Sequence, residues 1–400
     1  MIVKIDKLSH DFRGITKVND KVTFVEGALP TETVDIRITK EKKNYNDAKI
    51  ISYIEESSDR VNYQCPFYDK CGACDIGYID YNKGIEYKKN NFIDIMKRYA
   101  NIDINPDIVL LDRFGYRNKI TLRVDNKGKI SLLESKSNTK VNIDNCLIVN
   151  DNINSIIKIL SDLNLNGINT VTIRGEKEIM VILDGNIDNN YIINILKDKV
   201  SSIILNNEVI YGNDYINIKV NNLDYAIYPL SFFQVNTKMM IKLYDKVKEY
   251  AGRGSRLLDL YCGAGTIGIY LNDNFNYIDG FEINKDAVKG ANLNKEINNI
   301  TNATFQCKSA SDINIKDYDV VVVDPPRSGL DNNTLNNLLS SGSNKIVYVS
   351  CSPITLARDI NILKSKYEIK DITLFDMFPN TKHLESVCLF DLKENNNGNI

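Results

Sequence analysis

From about residue 226 onward, apolar segments of strand length alternate with segments of helical spacing. This alternation predicts a parallel, doubly wound sheet with helices on both faces, which makes the C-terminal part of the chain an α/β domain. Within it, one strand ends in the run Asp259-x-x-x-Gly263-x-Gly265, and a helical segment follows at once. Glycines let the backbone approach a ligand closely, and a helix start offers free N–H groups. We therefore expect a cofactor to bind at this turn.

A carboxylate on the next strand supports this interpretation. Glu282 ends the strand Tyr277–Glu282, where it can accept hydrogen bonds from both hydroxyls of a ribose. The glycine turn and this acid together resemble class I S-adenosylmethionine methyltransferases, which implies S-adenosylmethionine as the cofactor. Asp324 closes a continuous apolar strand, Val320–Val323, and two prolines then hold it at the carboxyl edge of the sheet. The alternative role for Asp324 is to cap the next helix.

Cys351 ends a β-branched and aromatic run and precedes a turn at Pro353. A pyrimidine C5 is a poor nucleophile. A thiolate that adds at C6 makes C5 reactive toward a methyl donor, and a base must then remove the C5 proton. Cys351 and Glu385, thirty-four residues downstream, have the side chains that those two steps need. The alternative for Cys351 is a buried structural cysteine. We expect three cysteines in apolar surroundings to be unreactive packing residues: Cys262, Cys307 and Cys388.

Five segments, in order along the chain, are similar to those of the RNA 5-methyluridine methyltransferases: Pro229–Asn236, Leu258–Gly265, Asp324–Arg327, Ser350–Pro353 and His383–Val387. The resemblance implies that Cys351 is the nucleophile and Glu385 the proton acceptor. It implies a cofactor site formed by Gln234, Tyr261, Glu282 and Asp324 beside Gly263 and Gly265. It also implies that Asp324 hydrogen-bonds the edge of the uracil. His383 is a candidate for a second base, but we expect it to orient its own turn.

Four of the eight cysteines form a second group. Cys65, Cys71 and Cys74 share one loop, and Cys146 stands seventy-two residues after Cys74. Four thiolates can hold zinc or a 4Fe-4S cluster. Zinc ribbons usually pair two Cys-x-x-Cys knuckles, and only one is present here. The spacing resembles the iron–sulphur loop of the same methyltransferase family, which implies a 4Fe-4S cluster with a structural role. The run from Asp75 to Tyr78 departs from the Gln and His that often follow the third cysteine.

The N-terminal segment, 1–57, has short strands with period-two alternation, interrupted at Gly14 and at 27–30. This pattern predicts a small closed β-barrel of the oligonucleotide-binding type. The segment resembles the RNA-binding TRAM domain of the family.

Two further domains are expected after the barrel. Residues 58–225 are predicted to form a central α+β domain that carries the cysteine loop, with one helix near 150–164. Helical spacing at 83–100 predicts a second helix, which can pack on the catalytic domain at 226–394. The polar tail, 395–400, is predicted to be disordered.

The distribution of charge favours RNA as the partner. The net charge is only −2, but eight basic residues and two acids lie between Arg113 and Lys140, so this segment carries +6. Phosphate contacts need such a local patch, although a solvated strand face is the alternative. The strand Gly115–Arg123 within it matches the family and offers groups that stack on unpaired bases. A uridine must be turned out of folded RNA to reach Cys351, so we expect a single-stranded loop as the target.

Several alternatives differ in substrate. The barrel and the four cysteines resemble the ribosomal branch of the family, which implies 23S ribosomal RNA, with transfer RNA as the alternative. An RNA cytosine-C5 methyltransferase would carry a second cysteine where Arg327 stands. A DNA enzyme would carry its nucleophile directly after the two prolines. A non-catalytic RNA-folding factor would need neither Cys351 nor Glu385.

Composition sets the expected environment of the protein. No stretch approaches eighteen consecutive apolar residues, and the N-terminus lacks the pattern of a signal peptide. Eight cysteines without such a signal indicate a reducing compartment. We expect a cytoplasmic monomer that contacts no membrane and has no obligatory protein partner.

Overall fold

The computed structural model describes residues 1–394, so the predicted disordered tail at 395–400 lies outside the described residues. Over residues 1–394 the strands form sheets of six, seven and eight strands and one two-stranded hairpin. No helix in this part of the chain is long and apolar enough to cross a membrane.

Six strands form the N-terminal sheet: β1 (Ile2–Lys4), β2 (Lys7–Leu8), β3 (Gly14–Val18), β4 (Lys21–Glu26), β5 (Thr33–Glu41) and β6 (Tyr45–Glu55). They pair in the order β1-β5-β6-β4-β3-β2. The two ends of this order, β1 and β2, belong to one run of chain. Where that run bends, the Ile5 N–H donates to the Glu32 carbonyl and the Asp6 N–H donates to the Ile15 carbonyl. The sheet therefore returns on itself around a small apolar core.

Gly14 begins strand β3, although the sequence predicted an interruption there. A Cβ atom at Gly14 would lie 2.8 Å from the Cβ of Ala28 and 2.9 Å from Cγ2 of Ile5. The glycine therefore permits close packing of β3 against Ala28 and Ile5, and a close approach of this kind is a common reason for glycine in a strand.

The central part of the chain begins with a long helix and continues with a mixed sheet. Its elements are α1 (Tyr81–Ile95) with a π-helical turn at Met96–Ala100, β7 (Asp107–Val109), β8 (Lys119–Val124), β9 (Ile130–Leu133), β10 (Lys140–Asn142), α2 (Asp151–Asp162), β11 (Ile168–Gly175), β12 (Ile179–Gly185), α3 (Asn189–Leu196), β13 (Ser202–Leu205) and β14 (Glu208–Gly212). Seven of these strands pair in the order β10-β9-β8-β11-β12-β13-β14. Helix α2 lies where a helix was predicted.

Helix α3 is absent from the sequence-based prediction, which had only one helix among these strands. Its run Asn189–Leu196 contains one tyrosine and three isoleucines, residues that favour strands. Asp188 caps it by accepting a hydrogen bond of 2.7 Å from the Tyr191 N–H. Ile192 and Leu196, one helical turn apart, are fully buried in the central core. Tertiary packing and the cap therefore outweigh the local preference for a strand.

The boundaries expected for the central domain differ from the structure in two places. Strand β7 leaves the central sheet and pairs in parallel with a strand of the catalytic sheet, opposite Thr373–Phe375. The boundary at 225 falls inside a hairpin formed by β15 (Ile216–Val220) and β16 (Leu223–Ile227). The buried side chains of this hairpin belong to the core of the catalytic domain. Both differences arise from pairing between distant segments, which composition does not reveal.

The catalytic domain is an eight-stranded sheet covered by helices. Its remaining elements are α4 (Thr237–Ala251), β17 (Gly254–Leu260), α5 (Thr266–Tyr270), β18 (Phe275–Glu282), α6 (Lys285–Ile297), β19 (Ala303–Cys307), β20 (Val320–Val323), α7 (Asn332–Ser341), β21 (Lys345–Ser350), α8 (Pro353–Leu363), β22 (Tyr367–Phe375) and β23 (Glu385–Leu392), with 3₁₀ turns at Asn272–Asn274 and Ala310–Asp312. The order is β19-β18-β17-β20-β21-β23-β22-β7. Strand β23 runs antiparallel to both of its neighbours, whereas β17 to β21 are parallel.

Helix α1 packs on the catalytic domain, as its amphipathic spacing allowed. Phe92, Ile95 and Met96 share an apolar core with Leu356 and Leu363 of helix α8. The first helix of the central region therefore stabilises the face of the sheet that carries α8.

We expect Gly14→Ala to destabilise the N-terminal sheet by about 1–3 kcal/mol, because the added methyl group overpacks against Ala28 and Ile5. Gly84→Ala in helix α1 is the matched control. Its Cβ would lie 3.8 Å from Ile76, an ordinary contact, so it should stabilise by roughly 0.5–1 kcal/mol. Urea unfolding followed by circular dichroism measures both changes. Equal stability of the two variants would contradict the close approach at Gly14.

Candidate active site

Three neighbouring strands of the catalytic sheet end at the same edge. Leu260 of β17 pairs with Val323 of β20, which pairs with Tyr348 of β21. The residues that follow these strands include Tyr261, Asp324 and Cys351. Carboxyl ends of parallel strands are where α/β sheets bind ligands. The topology therefore brings the predicted nucleophile, the diproline acid and the glycine turn together.

Cys351 and Glu385 come from adjacent antiparallel strands. Ser350 of β21 pairs with Ser386 of β23, so the next position along places Cys351 opposite Glu385. The Ser386 hydroxyl donates a hydrogen bond of 3.3 Å to the Ser350 carbonyl across this pair. Cys351 is partly exposed, whereas Glu385 retains only 6% of its accessible surface. A thiol that substrate can reach therefore lies beside a carboxyl group that is shielded from water.

Burial is the main cause of the shifted pKa values of Glu385, Asp324 and Cys351. It raises the pKa of Glu385 to about 8, with a further contribution from the negative charge of Asp324. Burial likewise raises the pKa of Asp324 to about 7. The pKa of Cys351 rises to about 11, because of burial first and the charges of Glu385 and Asp324 second. The Arg327 guanidinium opposes the shifts of Cys351 and Glu385. Such perturbed groups at a sheet edge are typical of catalytic sites.

The glycine turn has the geometry that ligand binding requires. Gly263 and Gly265 have φ values of 54° and 73°, in the left-handed region that favours glycine. No atom lies within 4 Å of the position that a Cβ would take at Gly263, so bare backbone borders open space there. The Gly263 N–H donates a hydrogen bond of 3.2 Å to Glu282. The predicted ribose acceptor therefore lies beside the turn, and the two fit a bound adenosyl group.

Asp259 and Tyr261 connect this turn to the neighbouring helices α5 and α7. Asp259 is fully buried and accepts a hydrogen bond of 2.9 Å from the Gly268 N–H, which fixes helix α5 against strand β17. Tyr261 has a left-handed φ of 61°. Its hydroxyl donates a bond of 3.3 Å to Asp331, the N-cap of α7.

Gln234 lies on a loop that the central domain holds in place. The Asn118 side chain donates a hydrogen bond of 3.0 Å to the Gln234 carbonyl. The buried Arg174 guanidinium donates to three carbonyls of the same loop, those of Tyr228, Pro229 and Ser231. Sequence reasoning did not single out Asn118 or Arg174. The sequence offered only a weak indication, namely a polar residue within or beside a strand, and such a residue does not show which distant carbonyl it will bond.

The predicted basic patch is only partly available to a ligand. Three of its lysines bond within the protein: Lys129 to Ser161 and Leu163, Lys136 to Glu26, and Lys140 to Val124. Arg117 and Lys119 line a cleft of about 450 Å³ together with Phe232. Phe232 is 72% exposed, and no carboxylate lines this cleft. Arg117 and Lys119 are partly exposed and place positive charge beside the loop of Gln234, whereas Arg123 and Lys127 of the same patch are exposed outside this cleft.

The structure brings the four predicted metal-ligating cysteines together. Cys65, Cys71, Cys74 and Cys146 line one small cavity of about 20 Å³. The Tyr63 hydroxyl donates a hydrogen bond of 3.7 Å to the Cys74 sulphur. Within residues 1–394, however, no three His, Cys, Asp or Glu side chains are arranged to hold a metal ion. The all-sulphur donor set suits zinc or an iron–sulphur cluster, but the geometry selects neither.

Comparison with known proteins decides the family. The family model described as tRNA (Uracil-5-)-methyltransferase matches residues 176–393, and the TRAM domain model matches residues 1–51. The chain belongs to the tRNA (uracil-5-)-methyltransferase family. It is therefore an S-adenosylmethionine-dependent RNA methyltransferase with an N-terminal TRAM domain, which confirms the predicted enzyme class.

Similar proteins cover almost the entire chain of this methyltransferase. An uncharacterized RNA methyltransferase of Staphylococcus epidermidis is 32% identical, with 98% of this chain and 97% of the relative aligned. One from Halalkalibacterium halodurans is 31% identical, with 98% and 96% aligned. The crystal structure of Pyrococcus abyssi tRNA (uracil-54, C5)-methyltransferase in complex with S-adenosyl-L-homocysteine is 28% identical. It superposes with a TM-score of 0.81 over 98% of this chain and 100% of that one.

The electrostatic coupling predicts opposite effects of two substitutions on alkylation of Cys351. Arg327→Leu removes the cation that lowers the pKa of the thiol, so alkylation by iodoacetamide at pH 9 should slow severalfold. Glu385→Gln removes an anion that raises this pKa, so alkylation should accelerate. Peptide-resolved mass spectrometry measures both rates. Cys307 is the internal reference: the prediction that it is a packing residue is wrong, because it is exposed, whereas Cys262 and Cys388 are buried as predicted. Unchanged rates in both variants would show that neither charge acts on the thiol.

Proposed function

We propose that this enzyme methylates C5 of a uracil in RNA through a covalent bond between Cys351 and C6. The observation that carries the proposal is the pairing of β21 with β23, which sets the Cys351 thiol opposite the buried Glu385 carboxyl group. Nucleophilic catalysis at a pyrimidine needs a thiol and a base on one site, and this edge of the sheet offers both.

The proposed reaction assigns one task to each residue. The Cys351 thiolate adds to C6, and the electron pair of the C5–C6 double bond moves to give an enolate with a nucleophilic C5. S-Adenosylmethionine supplies the methyl group that C5 takes. Glu385 then accepts the C5 proton, the C5–C6 double bond re-forms, and the Cys351 thiolate leaves. A pKa of about 8 suits Glu385 for this task near neutral pH, because a base is most effective when its pKa is close to the working pH.

Asp324 and Gln234 are proposed to hold the reactants. Asp324, with a pKa of about 7, can donate or accept a hydrogen bond at the uracil edge near neutral pH. Gln234, Tyr261 and Glu282 with the glycines of the turn, Gly263 and Gly265, are proposed to bind the cofactor. The closeness of Glu282 to the Gly263 N–H supports that assignment.

RNA is proposed to approach along the cleft of Arg117, Lys119 and Phe232. Two cations and an exposed aromatic ring suit phosphate contact and base stacking on an unpaired strand. The TRAM domain is proposed to add further RNA contacts. The substrate is proposed to be a single-stranded loop, because a paired uridine cannot reach Cys351.

Two classes of RNA are candidates for the substrate. The resemblance of the sequence to the ribosomal branch favours 23S ribosomal RNA. Transfer RNA is the second candidate, favoured by the high structural similarity to the Pyrococcus abyssi enzyme, which acts on tRNA.

Methyl transfer to transcripts of 23S ribosomal RNA and of transfer RNA tests both the reaction and the substrate. Wild-type protein should label the uracil of one transcript class as 5-methyluridine. Cys351→Ala should lower the rate by at least ~100-fold while cofactor binding persists, because the covalent step is lost. Glu385→Gln should accumulate a covalent RNA–protein adduct on denaturing gels. Appreciable turnover by Cys351→Ala would contradict the covalent mechanism. Methylation of cytosine would contradict the assignment of uracil as the substrate base.

We also propose that Cys65, Cys71, Cys74 and Cys146 bind a 4Fe-4S cluster, with zinc as the alternative. The four cysteine side chains line one cavity, and this supports a group bound by thiolates. No catalytic step depends on it.

Protein purified without oxygen should therefore contain iron and acid-labile sulphide in equal amounts, and Cys74→Ser should lose most of both. Elemental analysis with a sulphide assay measures this, and Cys388→Ser, at a buried cysteine outside the group, is the control. Zinc without iron would refute the cluster.

A further inference from the structure

The loop between β22 and β23, residues 376–384, leads directly to Glu385 and is here named the base loop. It makes few hydrogen bonds within itself: the N–H and the hydroxyl of Thr381 donate to the Phe378 carbonyl, and the His383 N–H donates to the Thr381 hydroxyl. Most of its other polar contacts come from distant parts of the chain. The position of the base loop is therefore set from outside the hairpin that contains it.

One end of the base loop is anchored by a buried ion pair. Lys88 of helix α1 lies 2.5 Å from Asp376, and both side chains are almost fully buried. The Tyr81 hydroxyl donates a bond of 2.9 Å to the other oxygen of Asp376. Lys88 also donates to the Phe378 carbonyl at 3.4 Å. Helix α1 thereby fixes the point where the chain leaves strand β22.

The other end is anchored by the cysteine loop. The Lys382 N–H donates a bond of 3.0 Å to the Asp75 carboxylate, and the Lys382 ammonium lies 3.2 Å from it. The Ile76 N–H donates to the Asn380 carbonyl at 3.2 Å. Asp75 follows Cys74 directly, and Lys382 stands three residues before Glu385. Asn380, whose φ of 65° is unusual outside glycine, also donates to the Arg113 carbonyl at 2.9 Å.

The position of Cys351, in contrast, does not depend on helix α1 or on the cysteine loop. It follows strand β21, inside the catalytic sheet, and precedes Ser352, which caps helix α8. The nucleophile is therefore fixed within the catalytic domain. The backbone of Glu385 is paired with Phe375 in the same sheet, but the loop that precedes Glu385 is held largely by residues 75–116, with one further bond from the Asn236 side chain to the Met377 carbonyl. This asymmetry separates the two chemical roles in the structure.

We propose that Asp75 and Asn380 are positioning residues for the base Glu385. They hold the base loop so that the carboxyl group faces C5 of the uracil after methyl transfer. The cysteine loop is thereby linked to the final, proton-removing step rather than to the covalent addition. The inference rests on the proposed function, since it assumes that Glu385 is the base.

The test separates the two steps within a single turnover. The RNA carries tritium at C5 of uridine, and the cofactor carries a ¹⁴C methyl group, so methyl transfer and loss of the C5 proton are counted independently. In wild-type protein, methyl transfer and tritium release should proceed at the same rate. In Asp75→Ala, methyl transfer should stay within about twofold of wild type. Tritium release should slow by about tenfold or more, part of the ~100-fold that general-base catalysis typically contributes. The labelled adduct should then accumulate on denaturing gels.

Matched variants distinguish positioning from a general defect. Asp75→Asn keeps a carbonyl oxygen that can accept from the Lys382 N–H, so it should restore most of the tritium release. Lys382→Met removes only the ion pair of a half-exposed side chain and should resemble wild type. Asn380→Gly keeps the left-handed backbone and removes the bond to Arg113, so it should slow tritium release as Asp75→Ala does. This variant keeps the backbone carbonyl that accepts from the Ile76 N–H, so it removes the bond to Arg113 without removing the contact with the cysteine loop.

Two results would overturn the proposal. One is tritium release that keeps pace with methyl transfer in Asp75→Ala and Asn380→Gly. The other is an equal loss of both signals, which would indicate weakened RNA binding or folding. Glu385→Gln serves as the reference for the proposed function: if it fails to separate the two signals, Glu385 is not the base. If Glu385→Gln separates methyl transfer from tritium release but Asp75→Ala and Asn380→Gly do not, then Glu385 is the base and Asp75 and Asn380 do not position it.

Discussion

The antiparallel pairing of β23 with β21 is the interaction on which the site depends. Hydrogen bonds between the two strands fix Ser350 opposite Ser386, and Cys351 and Glu385 follow from that register. A shift by one residue would turn Glu385 toward the opposite face of the sheet, since side chains alternate along a strand. β23 is also held by β22 on its other side. A central strand with two partners has little freedom to slip, so the reactive pair is held by backbone geometry.

Burial gives this pair its chemistry. A carboxyl group that is cut off from water loses the hydration that stabilises its charge, so the pKa of Glu385 lies near 8 rather than in its usual acidic range. Asp324 adds a second negative charge, which also raises the pKa of Cys351. Arg327 is the cation that offsets these effects. The site therefore holds two buried carboxyl groups whose pKa values lie near neutral pH, beside a thiol whose pKa is raised to about 11.

The central domain supplies much of what shapes the catalytic domain. Asn118 and Arg174 hold the loop of Gln234, and Lys88 and Asp75 hold the loop that leads to Glu385. Strand β7 even completes the catalytic sheet at its edge. Lys88 and Asp376 illustrate why this matters energetically. A buried charge without its partner is costly, so helix α1 and the base loop must adopt their positions together.

Sequence alone identified the groups that carry chemistry and most of the elements that present them. The alternation of strands and helices fixed the class of the catalytic domain, and the glycine turn with Glu282 indicated the cofactor. Local patterns succeed there because the period of apolar residues and the special conformations of glycine are properties of short segments. They failed at α3, where strand-forming residues fold as a helix, and at Gly14, where a glycine serves packing. Tertiary structure alone placed Glu385 opposite Cys351 and Lys382 against Asp75, a contact between residues 307 positions apart. Such contacts leave no local trace, because each partner satisfies the rules of its own segment, and only the folded chain brings the two together.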